Sequence, residues 1–168
     1  YELVQFTPTS KIEGYIGLGY HFWRRGLGAS DSAPNMADYT EDYSWSYVPV
    51  GVRLLNQLND TLQLGIDFSV RPMFGGRIGI HLSDLNSKLQ DVDADLGSQV
   101  GFRAEVPLLA ALTPGFAVLF KPWYQFSAIG RSDTFEIRSE SGEVVSAGYE
   151  PDSRTHQFGA LISGRFSL

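Results

Sequence analysis

Thr61-Leu62-Gln63-Leu64-Gly65-Ile66-Asp67-Phe68-Ser69-Val70-Arg71-Pro72 is the stretch whose reading decides the fold. Leu62, Leu64, Ile66, Phe68 and Val70 alternate with Gln63, Gly65, Asp67, Ser69 and Arg71. An extended chain therefore carries an unbroken apolar row on one face and a polar row on the other. The run is about as long as a tilted strand needs to cross a bilayer, roughly 9–11 residues.

The same period recurs on both sides of it. Residues 11–24 set Ile12, Gly14, Ile16, Leu18, Tyr20 and Phe22 against Glu13, Tyr15, Gly17, Gly19 and His21. Residues 43–54 set Val48, Val50, Val52 and Leu54 against Tyr47, Pro49, Gly51 and Arg53, and residues 97–109 set Val100, Phe102, Ala104, Val106 and Leu108 against Gln99, Gly101, Arg103 and Glu105. Residues 115–129 and 155–168 repeat it, with Lys121, Gln125 and Ser127, then Gln157, Gly159, Ser163 and Arg165, on the polar side.

Alternation leaves open which face looks outward, because a soluble lipocalin-like barrel has the same period with its apolar face inside. The connections favour the inverse arrangement. Residues 25–42, 73–96 and 130–154 are long, while 55–60 and 110–114 are short. Transmembrane barrels segregate short periplasmic turns from long extracellular loops. The polar rows mix Gly and Ser with charges of both signs, which suits a narrow lumen. Tyr20, Phe22 and Trp23, then Tyr43, Trp45 and Tyr47, stand at segment ends, where interfacial aromatic girdles are expected.

Composition agrees with an exported β-protein. At 168 residues the chain suits one domain. No stretch approaches the roughly 20 apolar residues of a spanning helix. The sequence has 18 Gly, 13% aromatic residues and no Cys, so no thiol can mispair in an oxidising compartment. A net charge of −6 argues against nucleic acid, whose phosphates call for a basic face. Starting at Tyr1, the chain shows neither the basic nor the apolar region of an export signal and reads as a processed form or a piece.

Two regions depart from the rhythm. Residues 83–96 space Leu85, Leu89, Val92 and Leu96 at helical intervals behind Ser83 as a cap, predicting a short amphipathic helix. Residues 134–147 place Phe135 and Ile137 across Ser141-Gly142 from Val144, predicting a hairpin that projects from the barrel. Six clear segments leave two of eight strands to find, with residues 1–6, 77–82 and 134–147 as candidates.

Six alternating segments, connections alternately short and long, and a last strand ending Arg165-Phe166-Ser167-Leu168 resemble the OmpA-type and OmpX-type outer-membrane barrels. The resemblance spans nearly the whole chain. It implies an antiparallel transmembrane barrel of eight strands, forming one domain over residues 1–168 in the bacterial outer membrane. Such barrels end in an aromatic residue read by the assembly machinery, whereas Leu168 stands here with Phe166 two residues before it. Members serve as anchors, adhesins, small pores and lipid-modifying enzymes, so the fold does not choose among them.

Charges on the polar rows are the main candidate site. Asp67, Arg103, Glu105 and Lys121 are expected in one mid-height layer, with Glu13, Arg53 and Arg165 lower and Arg71 on the same face as Asp67. Enclosed ions must pair, because an isolated charge costs several kcal/mol. Arg103, with five donors, is the expected bridge between Asp67 and Glu105. The resulting network reads as a plug; an ion path is the alternative. His81-Leu82-Ser83-Asp84 is similar to the His-x-Ser-Asn element of outer-membrane lipid A deacylases, which implies a His81 base and a Ser83 nucleophile for acyl transfer. Here Asp84 replaces Asn, and the element lies mid-chain rather than near the C-terminus. A strand-end His and a helix-capping Ser are the plainer account. Asp91, Asp93 and Asp95 lack the Gly and Glu of a calcium loop, and no His or Cys set has metal-ligand spacing.

The sequence thus predicts an anchor or adhesion module that contacts outer-membrane lipid and lipopolysaccharide and meets protein partners through its extracellular loops. No cofactor, metal or nucleic acid is expected. A narrow pore, a lipid acyl hydrolase and a soluble ligand carrier are the alternatives.

Overall fold

All six alternating segments form strands in the computed structural model, which describes residues 2–28 and 39–166. The chain runs β1 (Glu2–Thr7), β2 (Ser10–Ile16), β3 (Gly19–Leu27), β4 (Tyr39–Tyr47), β5 (Val50–Asn59) and β6 (Leu62–His81). A single helical turn, α1 (Leu82–Leu85), precedes β7 (Val92–Gly97), β8 (Val100–Glu105), β9 (Leu108–Thr113) and β10 (Phe116–Ser132). Strands β11 (Phe135–Arg138), β12 (Val144–Gly148) and β13 (Ser153–Phe166) complete it. Of the first long connection, residues 29–38 lie outside the described residues, as does Leu168.

Eleven strands form one antiparallel sheet, and β11 with β12 forms the separate hairpin expected around Gly142, whose φ is +86°. Several strands join end to end, so the sheet has these columns in order: β1; β2 with β3; β5 with β4; β6; β9 with β8 and β7; β10; β13. Proline explains the breaks other than the one between β7 and β8, since it lacks the N–H a ladder needs. The ladder crosses each break through a carbonyl: Gly17 donates to Pro49 at 3.0 Å, Val48 to Pro72 at 3.1 Å, and Val106 to Pro122 at 3.0 Å. Of the regions proposed to hold missing strands, residues 2–7 supply β1, whereas 77–81 merely extend β6.

The sheet curls. One cavity is lined from both β3 and β13, in the second and last columns, and another from β5 through to β13. Two-residue turns at Pro8-Thr9, Asp60-Thr61 and Pro114-Gly115 join strands at one end, and the longer connections lie at the other.

The two ends of the sheet bury opposite chemistries. Toward the short turns the convex face is apolar and open, with Ile16 73%, Ile66 55% and Ile162 72% exposed, while Asp67 and Ser69 on the concave face are only 3% and 1% exposed. Toward the long connections, Tyr43, Trp45, Met73, Ile78, Ile80, Val92, Leu96 and Ile129 form a buried core on the concave side, and Arg24, Arg77, Asp93 and Asp95 lie outside.

A change of phase produces the switch. In β6, residues 65, 67, 69 and 73 are buried; beyond Gly75 the buried positions are 76, 78 and 80. Gly75 has φ +60° and sits where the pairing to β4 slips, Ser44 facing Arg77 but Ser46 facing Phe74. It is a β-bulge, in which one extra residue flips every later side chain. The neighbouring column compensates at the same height: Val92 and Leu96 of β7 are buried, then Gly101 of β8, with Ser98-Gln99 between and Met73 donating to the Gln99 carbonyl at 2.9 Å.

Two expectations are corrected here. The helix over residues 83–96 is one turn only, capped by His81 without a side-chain bond; Val92 and Leu96 belong to a strand whose two-residue period hides inside the helical spacing. Tyr43 and Trp45 are core residues, so the aromatic clusters of the convex face are others. Phe102, Tyr124, Phe126 and His156 pack together at one level, the Tyr124 hydroxyl lying 2.7 Å from His156 Nδ1, and Phe116 stacks on Phe166 near the short turns.

If Gly75 sets the phase, Gly75→Ala should cost only the left-handed backbone, about 1–2 kcal/mol, because nothing lies within 4 Å of the added Cβ. Deleting Gly75 should turn Ile78 and Ile80 outward and lower the unfolding midpoint much further. Equal midpoints for the two variants would refute this role.

Candidate functional site

The alternation of β5, β6, β8 and β10 carries the predicted ionic residues onto the concave face. Cross-strand register then decides who meets whom. Glu13, Arg53, Asp67, Glu105 and Trp123 stand opposite one another in a single row across five columns. Glu13 and Arg53 therefore belong to the same row as Asp67 rather than to a lower one, because each is the direct partner of the next.

Asp67 and Glu105 are like charges placed side by side, and each is neutralised from its far side. Asp67 accepts Arg53 Nε at 2.7 Å, Arg53 Nη2 at 2.6 Å and the Tyr15 hydroxyl at 2.6 Å. Glu105 accepts Arg103 Nε at 2.6 Å and Lys121 Nζ at 2.8 Å. The expected Arg103 bridge is thus half right: Arg103 takes Glu105, but register puts Ser69 opposite it and gives Asp67 to Arg53. The Arg103 guanidinium also lies 4.3 Å over the Trp123 ring.

Above the row, the Gln125 side-chain oxygen accepts Arg71 Nη1 at 2.9 Å and Arg103 Nη1 at 3.1 Å, and its amide donates to Ser127 at 3.2 Å. Arg71 completes its contacts over the Tyr47 ring, 5.3 Å from its centre. Tyr15 and Gln125 are the partners that sequence reading left out of the network, although both stand on the polar rows. Around Arg71 and Gln125 the concave space narrows to a void of about 20 Å³, between cavities of about 350 Å³ toward the short turns and 250 Å³ toward the core. The remaining predicted member, Arg165, lines the larger cavity and forms no ion pair or hydrogen bond among the described residues.

The candidate dyad is not assembled. The strand ends at His81, so Ser83 falls on the helical turn instead of one pleat further along the same face. Both imidazole nitrogens face carboxylates, Nδ1 3.3 Å from Asp91 and Nε2 3.3 Å from Asp42, and the Ser83 N–H donates to Asp91 at 2.9 Å. Asp42 in turn receives two donors of Arg24 at 2.6 Å, and these hold its carboxyl down to about 2. The Asp42 contact, with Asp91 behind it, raises His81 above its ordinary 6.5. On the other side of β4, the Tyr43 hydroxyl lies 2.9 Å from Glu41 and 2.7 Å from Glu150 and accepts Arg25 at 2.6 Å; burial and these carboxylates push its pKa far upward. Arg25 also binds the buried Glu41. Sequence carried a signal for this cluster: Arg24-Arg25 and Glu41-Asp42 are oppositely charged pairs flanking one connection, and β3 and β4 pair them directly. Among the described residues, no group of His, Cys, Asp or Glu is arranged to hold a metal ion.

Two measurements follow. The register predicts that Arg53→Ala with Asp67→Asn gives a coupling of about 1–3 kcal/mol in a double-mutant cycle, and that Arg103→Ala with Asp67→Asn gives markedly less. The reverse ranking would contradict it. For His81, a raised folded pKa means that its ionic contribution is complete below 6.5 and disappears as pH rises through the folded value. The stability gap between the wild type and His81→Asn should therefore close as pH rises from 6.5 through the folded value, with an imidazole titration above 6.5 that falls back in Asp42→Asn; an unperturbed titration would rule this out. No model of a known protein family matches the chain, and no curated protein aligns with it.

Proposed function

We propose that the chain is an integral outer-membrane β-barrel that anchors and presents its long-connection end as a binding surface. One observation carries the reading: over one half of the sheet the enclosed face is ionic and the open face is apolar. Burying Asp67 while leaving Ile16 and Ile162 more than 70% exposed is unfavourable in water, where apolar area is the main thing folding removes. In a bilayer the same distribution is the favourable one.

The dimensions support it. From Phe116 to Phe126, the levels of the two convex aromatic clusters, β10 spans about 33 Å at ~3.3 Å per residue, or about 25 Å normal to the membrane at a tilt near 40°. That is the height of a lipid-facing apolar band, with aromatic girdles at its two edges. Beyond it, where the phase has switched, an apolar core and a charged exterior suit water. This projecting half carries the β11–β12 hairpin and the Arg24–Asp42–His81 cluster, the surfaces available to a partner.

Strand direction supports eight strands. Successive columns alternate, so β1 and β13 point the same way, and one further strand running against both would close the barrel as antiparallel. The Arg71–Gln125–Arg103 contacts support a plugged lumen, since the void beside them has room for about one water.

Ile66→Arg tests this. On a lipid-facing strand it should cost about 2–4 kcal/mol and impair folding into phosphatidylcholine vesicles, whereas Ser44→Arg, on the convex face of the projecting half, should not. A wild-type protein that stays folded and monomeric without detergent, or an Ile66→Arg variant that folds normally in lipid, would overturn the reading.

A further inference from the structure

The cavity toward the short turns has a two-sided lining that the ion-pair row does not require. Its inner end is ionic, with Arg53 and Glu105 from the row and Lys121 one pleat below them, while Arg165 of β13, opposite Ala117, stands at its mouth toward the short turns. Its wall is apolar, made by Leu55, Pro107, Leu109 and Leu119. These leucines stand on the concave phase of their strands, where neighbouring positions carry Gln63, Lys121 and Ser163, so the pattern that places polar residues inward is locally reversed.

The charge is unbalanced as well. Lys11, Arg53, Arg71, Arg103, Lys121 and Arg165 face Glu13, Asp67 and Glu105, six cations against three anions among the side chains described on this part of the concave face. The chain as a whole carries −6. At the cavity itself, Asp67 neutralises Arg53, and Glu105 is shared between Arg103 and Lys121, leaving one positive charge there and a second on Arg165, which has no ion pair among the described residues. Arg165 is exposed at the cavity mouth and has no counter-ion among the described residues, and a bound anion would supply one.

We propose that this cavity binds an amphipathic anion, a carboxylate or phosphate head on a short aliphatic body. The head lies at Arg165 at the mouth of the cavity, where the guanidinium can offer two parallel donors to it. The body lies against Leu55, Leu109 and Leu119. A volume of about 350 Å³ admits a molecule of this kind but little more. Arg165 is the determinant of affinity, because among the described residues it is the cavity cation that no carboxylate already claims. The site goes beyond the anchoring role, and its occupation does not depend on what the opposite end binds.

Calorimetric titration of the protein in phosphatidylcholine nanodiscs, corrected with empty nanodiscs, tests the proposal with hexyl phosphate, hexanoate, hexylammonium and inorganic phosphate. Either hexyl anion should bind one to one, the tighter of the two identifying the head group. Hexylammonium should not bind, and inorganic phosphate should bind at least tenfold more weakly. Arg165→Gln, which breaks no ion pair or hydrogen bond among the described residues, should weaken the hexyl anion at least tenfold, and Leu119→Ser should weaken it severalfold while leaving inorganic phosphate unchanged. Absence of saturable binding, equal binding of hexylammonium or inorganic phosphate, or an Arg165→Gln protein that binds like the wild type would overturn it. Sheet content and incorporation are checked on the same samples. Protein that folds without entering nanodiscs counts against the membrane reading and is titrated in buffer; folded protein that binds no hexyl anion counts against the site alone.

Discussion

In β6 one unbroken strand serves two environments, and the glycine that lets it do so is the constraint on which the rest of the structure hangs. A strand assigns successive side chains to opposite faces, so the chemistry of the two faces can be exchanged only by changing residues or by inserting one. At Gly75 one is inserted. On one side of it Asp67 and Ser69 are enclosed; on the other Ile78 and Ile80 are. The adjoining column makes the matching change at Ser98-Gln99, since a flip in one strand alone would set an apolar row against a polar one. The β4–β5 column instead keeps its phase and changes its residues, from Glu41, Tyr43 and Trp45 inward to Gly51 and Arg53 inward.

Enclosing ions on the concave face imposes a second condition, pairing, and register satisfies it in an order that local spacing does not suggest. Asp67 and Glu105 are neighbours that repel, tolerable because Arg53 and Tyr15 hold one while Arg103 and Lys121 hold the other. Arg53 and Arg103 also spread their planar charge over Tyr15 and Trp123, at 5.7 and 4.3 Å. Truncating one member of such a row exposes its partner's charge, so the row acts as a unit. This is the physical basis for proposing it as a plug, and the excess of cations beside it is the basis for proposing an anion in the neighbouring cavity.

His81 shows how a short motif depends on the strand that bears it. A shared face with Ser83 requires two more residues of extended chain, and the strand stops at His81. Carboxylates from β4 and from the segment before β7 then occupy both ring nitrogens. The imidazole is part of a surface ionic cluster with Arg24 and Asp42, at the long-connection end of the sheet.

The sequence by itself determined the six strand segments, the short turns at one end, the hairpin about Gly142 and the list of residues on the polar rows, because each follows from a two-residue period or from turn chemistry acting over neighbours in the chain. It also determined that ions would be enclosed. Which ions meet was decided only in three dimensions: Arg53 and Asp67 are 14 residues apart, and their contact depends on a hairpin register set by the whole β5–β6 ladder. The phase change lay beyond local reading for the same reason, since Gly75 reads as an ordinary glycine until β4 pairs on both sides of it. Val92 and Leu96 fit a helical and an extended period equally well, and pairing with β6 chose the strand. Local rules act through a few covalent bonds, whereas the identity of a partner depends on every hydrogen bond between two strands, and that sum is available only to the folded chain.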